Sequence, residues 1–283
     1  MGAGDIITII ENPDGRKGNL FDGVDDYVLH DAHAVANVSN NDSVGTYTAR
    51  IYLNDLAGTY TILSAGDNNL DAEFLHLTIK AGKLNIFLKD GGGTRFDVVE
   101  TTASISARTW THVCVNHTGT RPDLYVNGEV VAMTDTTGTA LDEWYDVLDL
   151  TDKFAIGVLV SNGTFTQDFK GAIGQIKYFN IPLTAGEIFK ESRGITQTSP
   201  DGDASRAGDL TTALVFNITM EDDGITDSGS GADNGTLTGN AFYGGLISDW
   251  SYEVHNNLTG HAAEVINTIL DGSNFISLIK RGD

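Results

Sequence analysis

Three aspartates crowd into five positions near the start of the chain: Asp22, Asp25 and Asp26. Carboxylate oxygens so close together are hard donors of the kind a calcium ion prefers. The same side chains also shape tight turns by accepting hydrogen bonds from nearby backbone N–H groups. A second group suits a sugar. Trp144 and Tyr145 stand side by side in an acidic stretch without core periodicity, so their rings are expected to form an exposed stacking platform. Asp67, Asn68 and Asn69 make a polar loop able to hydrogen-bond sugar hydroxyls. Other chemistry is missing. His112 and His117 lie five apart in a β-type run, which puts them on opposite faces and rules out a shared metal. No phosphate loop, dinucleotide fingerprint, zinc helix or nucleophile elbow occurs. Cys114 is the only cysteine and, between two valines, is expected to act as a small buried hydrophobe.

Charge narrows the partners. With 39 acidic and 17 basic side chains the formal charge is −22, a field that repels phosphate backbones and argues against nucleic acid. A hydrophobic content of 40% is ample for a core. No segment approaches the roughly 18 apolar residues of a membrane helix. The opening Met1 to Ile10 lacks the basic region of a secretory signal.

The elements that must position these side chains are mostly strands. The 33 glycines against 4 prolines suit short strands joined by tight turns. Alternation predicts strands over 46–53, 73–80, 83–89 and 95–100, with Ala81-Gly82 as a two-residue turn between the second and third. Asn127-Gly128 predicts another hairpin, because both residue types tolerate the positive φ of a type I′ turn. A short strand over 5–10 and a turn at 12–15 precede them. One helix start is marked: Thr184 caps, Glu187 returns the bond, Leu183 staples against Ile188, and Gly194 ends the helix. Residues 195–212 read as a linker after a first unit, 1–194. Residues 213–283 read as strands plus a helix, with strands over 213–220 and 275–279 and the helix over 261–270, closing the sandwich or mediating assembly.

Three ordered motifs carry a family resemblance. The first is Asn19-Leu-Phe-Asp-Gly-Val-Asp-Asp-Tyr-Val-Leu29. The second runs from Trp110-Thr-His112-Val-Cys-Val into Leu124-Tyr-Val-Asn-Gly-Glu-Val-Val131, and the third spans Phe169 to Ile188. Together, over roughly residues 19–190, they resemble the laminin-G-like, concanavalin A-like lectin/glucanase superfamily. The resemblance implies an all-β fold: an antiparallel jelly-roll β-sandwich with a small C-terminal extension. Phe21, Tyr27, Trp110, Val113, Val126, Phe169 and Ile176 are then expected near its core. The stretch Asp227 to Gly239 resembles a segment that often precedes the first motif in this superfamily, and here it is expected to close the first sheet in permuted order.

The resemblance also implies calcium, and in one branch glycan hydrolysis. The last sandwich strand commonly carries Ile-Asp-Glu after Phe-x-Gly, but this chain has Ile173-Gly174-Gln175, leaving Asp22, Asp25 and Asp26 as the calcium donors. Hydrolytic members space two carboxylates on one strand, about 5 Å apart for retention. Glu143, Asp146 and Asp149 do not have that spacing, so a non-enzymatic protein is expected. A fold common outside cells and a start without an export signal are reconciled by a virion protein released by lysis. The first-ranked reading is accordingly a virion surface protein of the phage kind, a head decoration or tail component, assembling with other structural subunits and binding surface glycans. The alternative is a carbohydrate-binding or adhesion module of a cell-surface system, and the third is a glycan-active hydrolase. The apolar stripe over 261–270 and the strand after it predict a homo-oligomer.

Overall fold

The structure is a computed structural model and describes residues 18–69, 73–195, 210–218, 227–230, 234–238, 242–243, 264–266 and 279–281. The first half builds β1 (Asn19–Asp22), β2 (Tyr27–Leu29), helix α1 (Asp31–Asn40), β3 (Gly45–Leu53), β4 (Thr59–Gly66), β5 (Phe74–Lys80), β6 (Lys83–Asp90) and β7 (Gly93–Glu100). Next come β8 (Thr111–His117), β9 (Pro122–Val126), β10 (Glu129–Val130) and β11 (Met133–Gly138), then a 3-10 turn at Tyr145–Val147. Strands β12 (Lys153–Ile156), β13 (Leu159–Ser161), β14 (Thr164–Thr166) and β15 (Lys170–Phe179) lead into helix α2 (Ala185–Ser192). The C-terminal part supplies α3 (Leu210–Ala213), β16 (Leu214–Ile218), β17 (Thr236–Thr238), β18 (Phe242–Tyr243), β19 (Glu264–Ile266) and β20 (Ile279–Arg281).

Two antiparallel sheets carry the fold. The first runs β10-β9-β8-β3-β15-β1-β18. On one side of β15, β1 pairs with Lys170–Ile173 and β16 with Ile176–Phe179. The second runs β11-β7-β6-β5-β4-β12-β2-β17. Strands from beyond residue 213 therefore enter both sheets. The sandwich is all-β and jelly-roll-like, as the motifs imply.

Alternation explains the core. Tyr47, Ala49, Ile51 and Leu53 of β3 face inward, as do Leu75, Leu77 and Ile79 of β5 and Leu84, Ile86 and Leu88 of β6. The other face of the first sheet is also covered. There α2 and α3 bury Cys114, Tyr125, Phe179, Leu183, Ile188 and Leu210 in a second cluster. Helix α2 starts where predicted: the Glu187 N–H donates to the Thr184 hydroxyl, and the Thr184 N–H donates to the Glu187 carboxylate. Ala81-Gly82 and Asn127-Gly128 both turn with positive φ, at 50° and 76° and at 52° and 87°. These are the backbone angles of a type I′ turn.

Five of the seven expected core residues, Phe21, Val113, Val126, Phe169 and Ile176, lie in the main core. Tyr27 does not, because Val28 takes the inward position of β2 and turns Tyr27 outward, where it stacks on Phe165 at 4.7 Å. Trp110 precedes β8 and packs against Tyr52 outside the main core. Helix α1 has no counterpart in the sequence reading. Leu210, assigned to the linker, is buried in the second cluster. Glu264–Ile266 pairs with Ile279–Arg281 as a strand, which corrects the helix over 261–270 at those positions. The β-branched Val265-Ile266 pair suits an extended backbone. The rest of that helix, the N-terminal strand over 5–10, its turn and most of the linker lie outside the described residues.

Candidate functional site

The expected stacking platform is interior. Trp144 and Tyr145 are fully buried, which removes them as a surface for sugar. Trp144 stacks on His117 with ring centroids 5.0 Å apart, and the Tyr145 and Tyr47 hydroxyls share a 2.7 Å hydrogen bond. Both rings belong to the main core, where their large apolar area is gained, and the tyrosine finds its polar partner inside. Asp67, Asn68 and Asn69 form a turn. The Asn69 N–H donates to Asp67 Oδ1 at 2.7 Å and the Asn68 N–H to Asp152 Oδ1 at 2.9 Å. Asp67 is buried, whereas Asn69 is exposed.

The three N-terminal aspartates do converge. One oxygen from each of Asp22, Asp25 and Asp26 lies within 4.8 Å of the others, so all three can reach one cation held at calcium–oxygen distances of about 2.4 Å. Turn chemistry uses part of the set: Asp26 Oδ2 accepts from the Asp22 N–H and Asp22 Oδ1 from the Val24 N–H, both at 2.8 Å. Nearby Asp168 has its pKa raised, first by burial and then by the charges of Asp22 and Asp25.

A groove of about 270 Å³ lies on the outer face of the second sheet, lined by Phe74, His76, Thr78, Lys80, Asn85, Phe87, Leu159, Ser161 and Gln167. The pleat places these groups. With Leu75, Leu77 and Ile79 in the core, alternate residues of β5 point the other way, and the register of β6 brings Phe87 opposite His76 and Asn85 opposite Thr78. The floor is an aromatic strip. Phe74 lies flat against His76, with centroids 4.1 Å apart and planes 4° apart, and stacks on Phe87 at 5.3 Å. Beside it the Thr78 hydroxyl donates to Asn85 Oδ1, and Asn85 Nδ2 donates to Asp97 Oδ1 and the Val98 carbonyl. Thr78 and Asn85 are themselves buried, so this network holds the floor of the groove rigid.

One wall is the β13–β14 hairpin. Ser64 of β4 pins it by donating to the Val158 carbonyl and accepting from the Val160 N–H. Gln167, exposed, has a φ of 57°, a left-handed conformation that costs a residue with a Cβ about 1–2 kcal/mol. Its carbonyl accepts from the Thr61 N–H at 3.0 Å, holding it at the groove. Strain retained at a concave surface is a pointer to function.

The three acidic residues of the 143–149 stretch are engaged elsewhere. Glu143 pairs with Arg95, Asp146 Oδ1 accepts from the Trp144 N–H, and Asp149 interacts with Glu73. The groove escaped the sequence reading because its residues come from two distant hairpins. The available signal was the outward set of β5 and β6, which carries aromatic rings where a solvated face would be polar.

This sandwich is a lectin-like fold. The family model described as the concanavalin A-like lectin/glucanases superfamily (Laminin_G_3) matches residues 22–189, and the chain belongs to that family. No curated protein matches it. Among solved structures it is similar to the CBM40 of the Ruminococcus gnavus IT-sialidase, with a TM-score of 0.54, 18% identity, and coverage of 62% of this chain and 97% of that one. It is also similar to the leech intramolecular trans-sialidase, with a TM-score of 0.51, 19% identity, and coverage of 69% of this chain and 30% of that one. A Bacteroides ovatus protein described provisionally as carbohydrate binding gives a TM-score of 0.50 at 16% identity, covering 79% of this chain and 59% of that one. At these identities the likeness establishes the fold.

Proposed function

We propose that this chain is a non-catalytic carbohydrate-binding module that holds a glycan in the groove on the outer face of its second sheet. The observation that carries the reading is the half-buried Phe87 ring, backed by the buried Phe74 and His76 rings, in a groove whose accessible polar groups are Lys80, Ser161 and Gln167. The apolar C–H face of a sugar gains by covering the Phe87 ring, while the Gln167 amide and Ser161 hydroxyl at the wall orient its hydroxyls. The likeness to a carbohydrate-binding module supports this reading over the virion-surface role that the sequence ranks first. Isothermal titration with oligosaccharides checks it. Phe87→Ala, a change at a half-buried surface ring, is expected to leave the fold intact and weaken binding at least tenfold. Unchanged affinity would count against the groove.

Calcium at Asp22, Asp25 and Asp26 belongs to the same proposal, supported by the convergence of their oxygens. A cation held only by the folded state raises its stability. Added calcium is expected to raise the melting temperature, and Asp25→Asn to abolish the rise. An equal rise in the variant would remove the site.

A further inference from the structure

We propose that the groove selects sugars bearing a carboxylate or sulfate group, and that Lys80 holds that group. This rests on the carbohydrate-binding reading and names its ligand class. The chain has 39 acidic and 17 basic side chains, yet among the described residues none lining the groove is acidic. The hairpin from Phe74 to Lys89 contains Lys80, Lys83 and Lys89 and no aspartate or glutamate.

Register puts the three lysines on the groove's side of the sheet. Lys80 pairs with Lys83, and Lys89 pairs with Phe74, so they share the face that carries His76 and Phe87. Their roles differ. Lys83 Nζ donates to the Thr101 carbonyl at 2.7 Å, and Lys89 Nζ sits 5.3 Å from the Phe74 ring centroid. Lys80 is exposed at the groove's rim. Among the described residues no carboxylate forms an ion pair with it, whereas Arg95, Arg121, Lys153, Lys170 and Lys177 each hold one. Asp97 shares the face opposite Phe87, but its oxygens accept from Asn85 and from the Thr136 hydroxyl. Two like charges directly opposite on adjacent strands repel. An anion beside Lys80 relieves that repulsion, and the rest of the sugar extends across the Thr78–Asn85 pair toward the Phe87 ring. Lys80 is the cation among the described residues lining the groove, so in a protein of net negative charge it is the group that draws an acid there.

Matched oligosaccharides that differ in one substituent (neutral, carboxylate-bearing or sulfate-bearing) test this by calorimetry against the wild type, Lys80→Gln and Phe87→Ala. A charge-assisted hydrogen bond corresponds to about tenfold or more in affinity. The acid-bearing sugars are expected to bind about tenfold tighter than their neutral partners, less so at high salt, and Lys80→Gln is expected to erase the difference. The carboxylate and sulfate arms show which acid is the ligand. Equal binding of neutral and acidic sugars, lost in Phe87→Ala, would overturn the acid preference and leave the carbohydrate reading standing. An acid preference that survives Lys80→Gln would also overturn it. Failure of every sugar to bind would remove both.

Discussion

Gln167 and Glu73 each hold a conformation or a protonation state that the surrounding fold imposes. Gln167 stays left-handed because the Thr61 N–H and the adjoining hairpin fix it. Gln167→Gly should therefore stabilise the protein by up to about 1 kcal/mol in chemical denaturation, while weakening glycan binding. A variant that is less stable and binds normally would contradict both the strain and its role in the groove. Burial pushes the Glu73 carboxyl up to about 7; the Leu150 N–H opposes this and the negative charges of Asp149 and Asp90 add to it. A carboxyl raised in the folded state binds more protons there than in the unfolded chain between about pH 4.5 and 7, so its contribution to stability falls as pH rises through that window. Glu73→Gln is thus expected to gain melting temperature relative to the wild type from pH 4.5 to 7 and to level off above. A flat difference would contradict the assignment.

At the scale of elements, local chemistry and long-range packing part company. Helix α2 and the hairpins were legible because their signals are short: Thr184 and Glu187 are three residues apart, and Asn127-Gly128 is a dipeptide with one preferred turn. Thr184→Ala is expected to cost about 1 kcal/mol, measured by denaturant unfolding, since it removes the side-chain cap of α2. Gly128 has a second constraint, because a Cβ there would meet Ser192 Oγ of α2 at 2.5 Å and Phe189 Cα at 3.1 Å. That contact ties the β9–β10 turn to the helix and is invisible in the dipeptide. Helix α1 was missed because its Ala-rich sequence carries no strong cap or apolar stripe. Trp144 and Tyr145 were misplaced for a related reason. An irregular segment has no period from which to read its inward side, and only the sheets packed around it show which way the rings point.

Across the whole molecule, coverage of the two sheets decides where a ligand fits. Helix α2 covers the outer face of the first sheet, and the β13–β14 hairpin covers part of the second, leaving β5 and β6 as the floor of a groove. The motif order and strand alternation were enough to place the sandwich. The groove was not legible, because it depends on Leu159, Ser161 and Gln167 folding back beside residues some eighty positions earlier. Where a bound sugar sits on the sandwich is the most direct test of the groove. Backbone amide perturbations mapped by NMR during titration with an oligosaccharide should centre on Phe74, His76, Phe87 and Gln167. Perturbations centred instead on the Asp22–Asp26 turn or the Asp67–Asn69 loop, with β5 and β6 unmoved, would contradict it.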